Sequence, residues 1–210
     1  DRYAEFMEYL ASNGYLAVAN DHLGHGKSIR PGELKGFFAD EDGWDYVVRD
    51  MEKLHDRMSA EHPGLPYVMF GHSMGSFLTR TYIIKHPDKY DAVILSGTGH
   101  QAKALVLGGY AAAVGKGALY VPVRSGYGGI RAYTKGIENP RTPFDWLTRV
   151  DSEVDKYIAD PLCGFVATVS LFRDMMGGIK FITNQNNLEN MNKDTPVYFM
   201  SGDMDPVGEC

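Results

Sequence analysis

A short apolar run that passes directly into a helical pattern constrains this chain more than any other feature. Residues 66–70 have the composition of a buried strand, and the next five residues, Gly-His-Ser-Met-Gly at 71–75, match the pattern G-x-S-x-G. A sharp turn between a buried strand and a helix lifts the serine hydroxyl above the sheet, and glycine lets the neighbouring backbone pass close by. Ser73 is therefore the predicted nucleophile. The alternative is a glycine-rich turn that packs or binds phosphate.

Helical and strand patterns alternate along the first hundred residues. The helical period predicts helices over 2–13, from Trp44 to the stop at His62, and from Met74 to the stop at His86-Pro87. Short apolar runs predict strands at 15–20, 66–70, 91–96 and 196–201. The stretch from 21 to 42 holds four glycines and a proline among charged residues and indicates a loop. Strands that alternate with helices are typical of an α/β fold with a parallel sheet covered on both faces.

Residues 98–194 break this alternation because they contain no convincing strand. The sequence therefore predicts a core over 1–97, an inserted and mainly helical cap over 98–194, and a return to the core over 195–210. The insertion has an apolar first part, 104–121, and a second part with aromatic residues at roughly helical spacing. These residues form either the core of the insertion or an apolar groove for a ligand chain.

Composition excludes several classes of function. The chain has 21 Lys and Arg against 27 Asp and Glu, a net charge of −6, and no basic block, which argues against a nucleic-acid partner. The most apolar run, 104–115, is shorter than the roughly 20 residues of a membrane-spanning helix. The two cysteines, Cys163 and Cys210, have no metal-ligand spacing and indicate a reducing compartment, which we take to be the cytoplasm. The chain begins with Asp1 and not with Met, so a targeting segment upstream would not be visible.

A serine nucleophile needs a base, a carboxylate to orient that base, and donors for the oxyanion. The helix that follows Ser73 offers the backbone N–H of Met74 as an oxyanion donor. Two aspartates, Asp203 and Asp205, follow the last predicted strand at the edge where parallel sheets hold their sites. We favour Asp205 as the acid because it lies farther into the turn, beside a proline, whereas Asp203 is expected to cap the turn.

The histidines are expected to play different parts. His22 and His25 lie in a loop of tight glycine turns and are expected to form structural hydrogen bonds. His72 precedes the nucleophile and is expected to support the site without acting as the base. His100 follows a strand end near the expected pocket mouth and is a candidate for substrate contact. Solvated helix faces or ends account for the others, and Cys163 is expected to be a small apolar residue of the interior.

Four blocks of sequence carry a family resemblance. They are Arg2-Tyr3 before a helix, the run Asn-Asp-His-Leu-Gly-His-Gly-Lys-Ser at 20–28, the Gly-His-Ser-Met-Gly-Ser run at 71–76, and the pair of runs at 160–165 and 202–208. In this order they resemble α/β-hydrolases of the monoacylglycerol lipase and lysophospholipase type, which are also grouped with serine aminopeptidase-like hydrolases. The resemblance implies a Ser-Asp-His triad on Ser73 and Asp205, no cofactor, and a helical cap over an acyl-binding pocket.

The implied activity is hydrolysis of single-chain carboxylic esters through an acyl-enzyme. The substrate would be a small acyl ester, reached through transient contact of the cap with a lipid surface. An acyltransferase or an aminopeptidase could use the same triad, because water, alcohol and amine compete for one acyl-enzyme. A binding module with the same fold and no catalysis is the alternative from another class. Substrate preference and oligomeric state are left open.

Two parts of the family pattern have no match in these 210 residues. The His-Gly oxyanion segment should precede Arg2, and the catalytic histidine should lie some tens of residues beyond Asp205. The family topology also places a strand between those predicted at 15–20 and 66–70. We therefore expect this chain to be an internal portion of a longer hydrolase, truncated at both ends and inactive by itself, with a gap in the middle of its sheet.

Overall fold

The computed structural model describes residues 2–99 and 133–205. In chain order its longer elements are α1 (Ala4–Ser12), α2 (Gly43–Glu61), β1 (Val68–His72), α3 (Met74–Lys85), β2 (Ala92–Ser96), α4 (Asp151–Ala159), α5 (Val169–Ile182), α6 (Gln185–Leu188) and β3 (Val197–Met200). Short 3₁₀ turns lie at Gly26–Ser28, Thr134–Gly136 and Asp145–Leu147. The three helices predicted in the first hundred residues are confirmed.

The three strands form one parallel sheet in the order β1-β2-β3. Their register aligns the carboxyl ends, since His72 pairs with Ser96 and Ser96 pairs with Met200. The residues that follow these ends therefore meet at a single edge, which is where parallel sheets of this kind hold their sites.

Helix α3 is the centre of the hydrophobic core. Its residues Leu78, Tyr82 and Ile83 have 0–1% of their surface exposed, and they pack against residues of α2, α5, β1 and β2. Trp44 of α2 donates from Nε1 to Thr81 Oγ1 at 3.0 Å, which fixes α2 against α3. The core therefore locks the helix whose first turn follows Ser73.

The strand predicted at 15–20 is wrong for this structure. Residues 15–20 belong to no strand, and Tyr15, Leu16 and Val18 are 64%, 55% and 38% exposed. A strand needs a neighbour for its backbone hydrogen bonds, and the described part of the chain supplies none beside this segment. Strand β1 is an edge strand in the same structure, and Phe70 on its exposed face packs instead against Phe6 of α1, with ring centroids 5.4 Å apart.

The described part of the predicted insertion, residues 133–194, is helical and contains no strand. Helix α5 packs directly on α2 and α3, and Leu171, Ile179 and Ile182 belong to the hydrophobic core. The apolar stretch 104–121 and His100 lie outside the described residues. Among the helices that are described, none combines the length and apolar character needed to cross a membrane.

Candidate active site

Ser73 occupies a strained turn between β1 and α3. Its backbone has φ 53° and ψ −122°, a conformation that L-residues rarely adopt. Gly71 makes the turn sterically possible, because a Cβ there would lie 2.5 Å from Thr79 Oγ1 and 2.6 Å from the Gly75 carbonyl oxygen. The sequence therefore specifies a nucleophile elbow in the sense that G-x-S-x-G predicts.

Hydrogen bonds from both sides hold this elbow. The Ser73 N–H donates to the Ser96 carbonyl at 2.9 Å, and the Ser76 hydroxyl lies 2.6 Å from the Ser73 carbonyl and 2.8 Å from Thr98 Oγ1. Met74 is the first residue of α3, so its N–H belongs to the group of helix N-terminal donors that have no acceptor within the helix. This location fits the predicted oxyanion role of Met74.

The turn after β3 brings Asp205 toward the ends of β1 and β2. Asp205 N–H donates to the Gly202 carbonyl at 3.2 Å, and the Ser201 hydroxyl lies 3.4 Å from Asp205 Oδ2. A Cβ on Gly97, directly after β2, would lie 3.2 Å from the same Oδ2. Asp205 therefore lies beside the end of β2, the strand whose Ser96 carbonyl accepts the Ser73 N–H.

Asp203 faces away from this arrangement. Its carboxylate is 89% exposed and lies 3.7 Å from Arg149 of the insertion. The two aspartates of the turn are thus separated by their surroundings, with Asp205 against the sheet edge and Asp203 on the surface. The choice of Asp205 as the acid stays a prediction.

His72, the last residue of β1, lies beside the elbow. Its Nδ1 is 3.0 Å from Ser96 Oγ, the hydroxyl of the last residue of β2. Burial lowers the pKa of His72 most and the charge of Arg2 lowers it further, while Asp205 raises it. The lowered pKa favours the neutral imidazole, and the ring is bonded to the neighbouring strand.

His22 and His25 have structural surroundings in the loop 21–42. His25 Nδ1 lies 2.9 Å from the Leu23 carbonyl, and its ring packs on Phe38 and Phe165. Burial is the largest cause that lowers the pKa of His22 to about 4, with a further contribution from His25. The contacts of His25 agree with the structural hydrogen bond expected for it, whereas His22 Nδ1 is buried without a hydrogen-bond partner among the described residues.

Sequence reasoning missed three residues near the elbow. Ser96 and Ser201 bond to His72 and Asp205, and their position at strand ends was the signal that could have identified them. Arg2 was noted only as part of a motif, yet its guanidinium carbon lies 5.0 Å above the ring centre of Tyr157 in α4. The start of α1 is thereby connected to the insertion beside the site.

Cys163 is a poor nucleophile in this setting. Burial first, and then the charge of Asp160, raise the pKa of its thiol, and its Sγ lies 3.5 Å from Asp160 Oδ2. Within 2–99 and 133–205, no group of three His, Cys, Asp or Glu side chains is arranged to hold a metal ion. His100, the candidate for substrate contact, lies outside these ranges.

Two open clefts have volumes of about 580 and 560 Å³, but Ser73, His72 and Asp205 line neither of them. The first lies between the loop 21–42 and α2, and the second lies beside Thr98 and Gly99. The location of an acyl-binding pocket thus stays a prediction.

Solved structures with the same architecture define the class of this protein. A thermostable carboxyl esterase from Bacillus coagulans, solved in complex with glycerol, superposes with a TM-score of 0.87 and 26% identity and covers 99% of this chain and 68% of its own. A lipase in its open form gives 0.85 at 21% identity, over 99% of this chain and 69% of its own. The parallel sheet, the flanking helices and these neighbours identify an α/β-hydrolase.

Within this class, the chain belongs to the family described as serine aminopeptidase, S33, whose model matches residues 1–209. It is 32% identical over 131 residues to a monoacylglycerol lipase of Mycolicibacterium smegmatis, which covers 59% of this chain and 43% of that protein. It is 31% identical over 94 residues to human monoglyceride lipase, which covers 45% of this chain and 29% of that protein. The chain thus spans less than half the length of these relatives.

Proposed function

We propose that this chain carries the nucleophile and the acid of a serine hydrolase that cleaves carboxylic esters of single acyl chains. The observation that carries the proposal is the strained turn at Ser73, with Asp205 brought to the adjacent strand ends. Strain of this kind costs about 1–3 kcal/mol and is kept where the surrounding structure requires it, most often at functional sites. The relatives named monoacylglycerol lipase support a monoacylglycerol or lysophospholipid substrate.

The proposed reaction begins with attack of Ser73 Oγ on the ester carbonyl. The proton of Ser73 passes to a histidine base, which the family pattern places beyond Asp205, and the Asp205 carboxylate orients that base and stabilises its charged form. The Met74 N–H donates to the developing oxyanion. Loss of the alcohol leaves an acyl-enzyme on Ser73, and water, activated by the same base, releases the fatty acid.

The cap in this proposal is narrower than the insertion. Because α5 packs in the core with α2 and α3, we propose that the substrate-facing cap ends near Pro161 and that α5 belongs to the hydrolase core. The cap would contact a lipid surface transiently while a single acyl ester enters. The low cysteine content supports a reducing compartment, which we propose is the cytoplasm.

Active-site labelling tests the proposed nucleophile and acid. In the full-length protein, a fluorophosphonate probe should label Ser73 stoichiometrically, and Ser73→Ala should lose both labelling and hydrolysis of a p-nitrophenyl ester by about 10⁴-fold or more. Asp205→Asn should also be strongly impaired, whereas the matched variant Asp203→Asn should keep nearly full activity. Ester hydrolysis by Ser73→Ala within tenfold of the parent would refute the assignment, and the reverse order of the two aspartates would move the acid to Asp203.

Product analysis and labelling together distinguish ester hydrolysis from acyl transfer, aminopeptidase activity and binding without catalysis. Mass spectrometry of products formed with added glycerol or with aminoacyl amides would reveal acyl transfer or aminopeptidase activity on the same serine. A protein that binds acyl esters but is never labelled at Ser73 would be a binding module. We also propose that the 210 residues alone are inactive, and stoichiometric labelling of Ser73 in that chain would refute this.

A further inference from the structure

His72 and Ser73 both form hydrogen bonds with Ser96. Strand β1 ends at His72 and strand β2 ends at Ser96, and the two are paired in register. The Ser96 hydroxyl lies 3.0 Å from His72 Nδ1, while the Ser96 carbonyl accepts the N–H of Ser73 at 2.9 Å. Ser96 therefore fixes the ring of His72 and the backbone of Ser73 together.

Gly97 is the point at which His72 and Asp205 come together. A Cβ on Gly97 would lie 3.0 Å from His72 Cε1 and 3.2 Å from Asp205 Oδ2, so the imidazole and the carboxylate border the same small space. Gly97 has φ +51°, and its N–H donates to the Met200 carbonyl at 2.9 Å, which connects this point to the end of β3. Glycine is favoured here because φ is positive and because a Cβ would lie tightly against both side chains.

We propose that His72 is a positioning residue that sets the separation between the nucleophile turn and the acid turn, by bonding to Ser96 and filling the space above Gly97 beside Asp205. This role rests on the proposed function, in which Asp205 is the acid. His72 is not assigned as the base, because its Nδ1 is engaged with Ser96. It acts through Asp205, by keeping the carboxylate aimed at the base.

The charge state of His72 matters to this role. Arg2 at the start of α1 and Asp205 in the acid turn are the charged groups whose fields act on the imidazole, and the uncharged Ser96 bonds to it. A neutral imidazole leaves the negative charge of Asp205 available to the base. A protonated His72 would attract that carboxylate and weaken its hold on the base, so the activity should fall when His72 becomes charged.

Two substitutions separate the bonding of the ring from its shape. In the full-length protein, His72→Phe keeps a ring above Gly97 but removes the bond to Ser96, and we expect kcat to fall by roughly 10–100-fold with KM nearly unchanged, because small displacements of catalytic groups have effects of this size. His72→Gln keeps a polar group for Ser96 and should recover most of kcat. It should also remove one titrating group from the acid limb of the pH profile. His62→Gln, at an exposed helix end, is the control and should match the parent. Full kcat in His72→Phe, or equal losses in Phe and Gln variants, would overturn the proposal.

A measurement independent of catalysis completes the test. Histidine-selective NMR, with the His72 signals assigned from His72→Gln, should show a lower His72 pKa in Asp205→Asn than in the parent, because the carboxylate that raises it has been removed. The matched variant Asp203→Asn should leave the pKa unchanged. An unchanged pKa in Asp205→Asn would overturn the pairing of His72 with Asp205. This result is obtained whether or not the protein hydrolyses esters, so it separates a failure of this inference from a failure of the proposed function.

Discussion

Replacement of Ser73 by glycine should stabilise the protein while it removes the proposed nucleophile. Ser73 has φ 53° and ψ −122°, which is outside the regions that side chains with a Cβ adopt readily. A residue held in such a conformation stores about 1–3 kcal/mol. Glycine releases this strain, but it increases the entropy of the unfolded chain by roughly 0.5–1 kcal/mol relative to alanine. The net expectation is that Ser73→Gly is more stable than Ser73→Ala by about 0.5–2 kcal/mol.

The comparison of Ser73→Gly with Ser73→Ala isolates the backbone strain from the loss of the hydroxyl. Both variants lack the hydroxyl and both should be inactive, so differences in catalysis or labelling do not enter. For a chain of this length the expected difference corresponds to a rise of about 2–6 °C in melting temperature, measured by calorimetry or by urea unfolding at one pH. If Ser73→Gly melts at or below Ser73→Ala, the turn stores no strain and the reasoning is refuted.

Position 76 provides a matched control at which the order of stability of the glycine and alanine variants should be reversed. Ser76 lies within α3, three residues beyond Ser73, and is fully buried in ordinary helical backbone. Glycine in a helix is less stable than alanine by about 0.5–1 kcal/mol. Ser76→Gly should therefore melt below Ser76→Ala, whereas the order is reversed at Ser73. The same order at both positions would mean that the measurement reports glycine itself and not the elbow.

Three further predictions concern the core, the pH dependence and the cap. Gly178→Ala should destabilise by about 1–3 kcal/mol in urea unfolding, although alanine favours helices, because its Cβ would lie 2.5 Å from Trp44 Cζ2; equal or greater stability would contradict this packing. The pKa of His22 is lowered from 6.5 to about 4, so the folded state binds fewer protons than the unfolded state between these values. The free energy of unfolding should therefore rise as the pH increases from about 4 to 6.5, by on the order of 3 kcal/mol, and His22→Gln should flatten this dependence; an unchanged slope would refute it. Lengthening the acyl chain should raise kcat/KM by roughly fourfold per carbon until the groove is full, and a flat profile from acetate to laurate esters would exclude a groove.

The helices and strands that follow from local hydrophobic pattern could be predicted from the sequence. Their boundaries could not always be predicted, because pairing with a neighbouring strand also sets where a strand ends. The strand predicted at 66–70 is observed at Val68–His72, two residues later. Gly71 and His72 carry no strand preference of their own, but the ladder to β2 continues through the pair His72 and Ser96 up to the elbow. The extension of β1 is thus a consequence of its neighbour and not of its own sequence.

The strand predicted at 15–20 is absent because this segment has no neighbouring strand in the described residues. Its short apolar run is typical of a strand, yet a strand exists only when another strand accepts its hydrogen bonds. In the described residues Tyr15 and Leu16 are exposed and unpaired in a sheet. Periodicity reports which face a residue could bury, and it contains no information on whether a partner is present.

The candidate site was predictable residue by residue but not in its connections. Ser73 and Asp205 could be selected from a motif and from a turn at a strand end. The partner of Asp203, in contrast, is Arg149 in the insertion, and the contact of His72 with Ser96 depends on which strands are neighbours. Sheet order brings these residues together, and no spacing along the chain encodes it.

Two sequence blocks that are far apart in the chain turn out to be one structural unit. Gly24 and Gly26 have positive φ and leave room for the Phe37 backbone and the Asp21 carboxylate, which gives the loop 21–42 its shape. The Gly36 carbonyl in that loop accepts hydrogen bonds from both the N–H and the hydroxyl of Thr168, at the start of α5.

The ring of His25 packs on Phe165 just before that helix, with centroids 5.4 Å apart. A Cβ on Gly36 would lie 2.9 Å from Phe165 Cε2, so the loop and the returning chain are in direct contact. Next to Phe165, a Cβ on Gly164 would lie 3.5 Å from Tyr157 Cε1, which is an ordinary van der Waals contact. The ring of Tyr157 in turn lies under the guanidinium of Arg2. The glycine-rich loop therefore contacts the chain at Phe165 and Thr168, the point at which it re-enters the core.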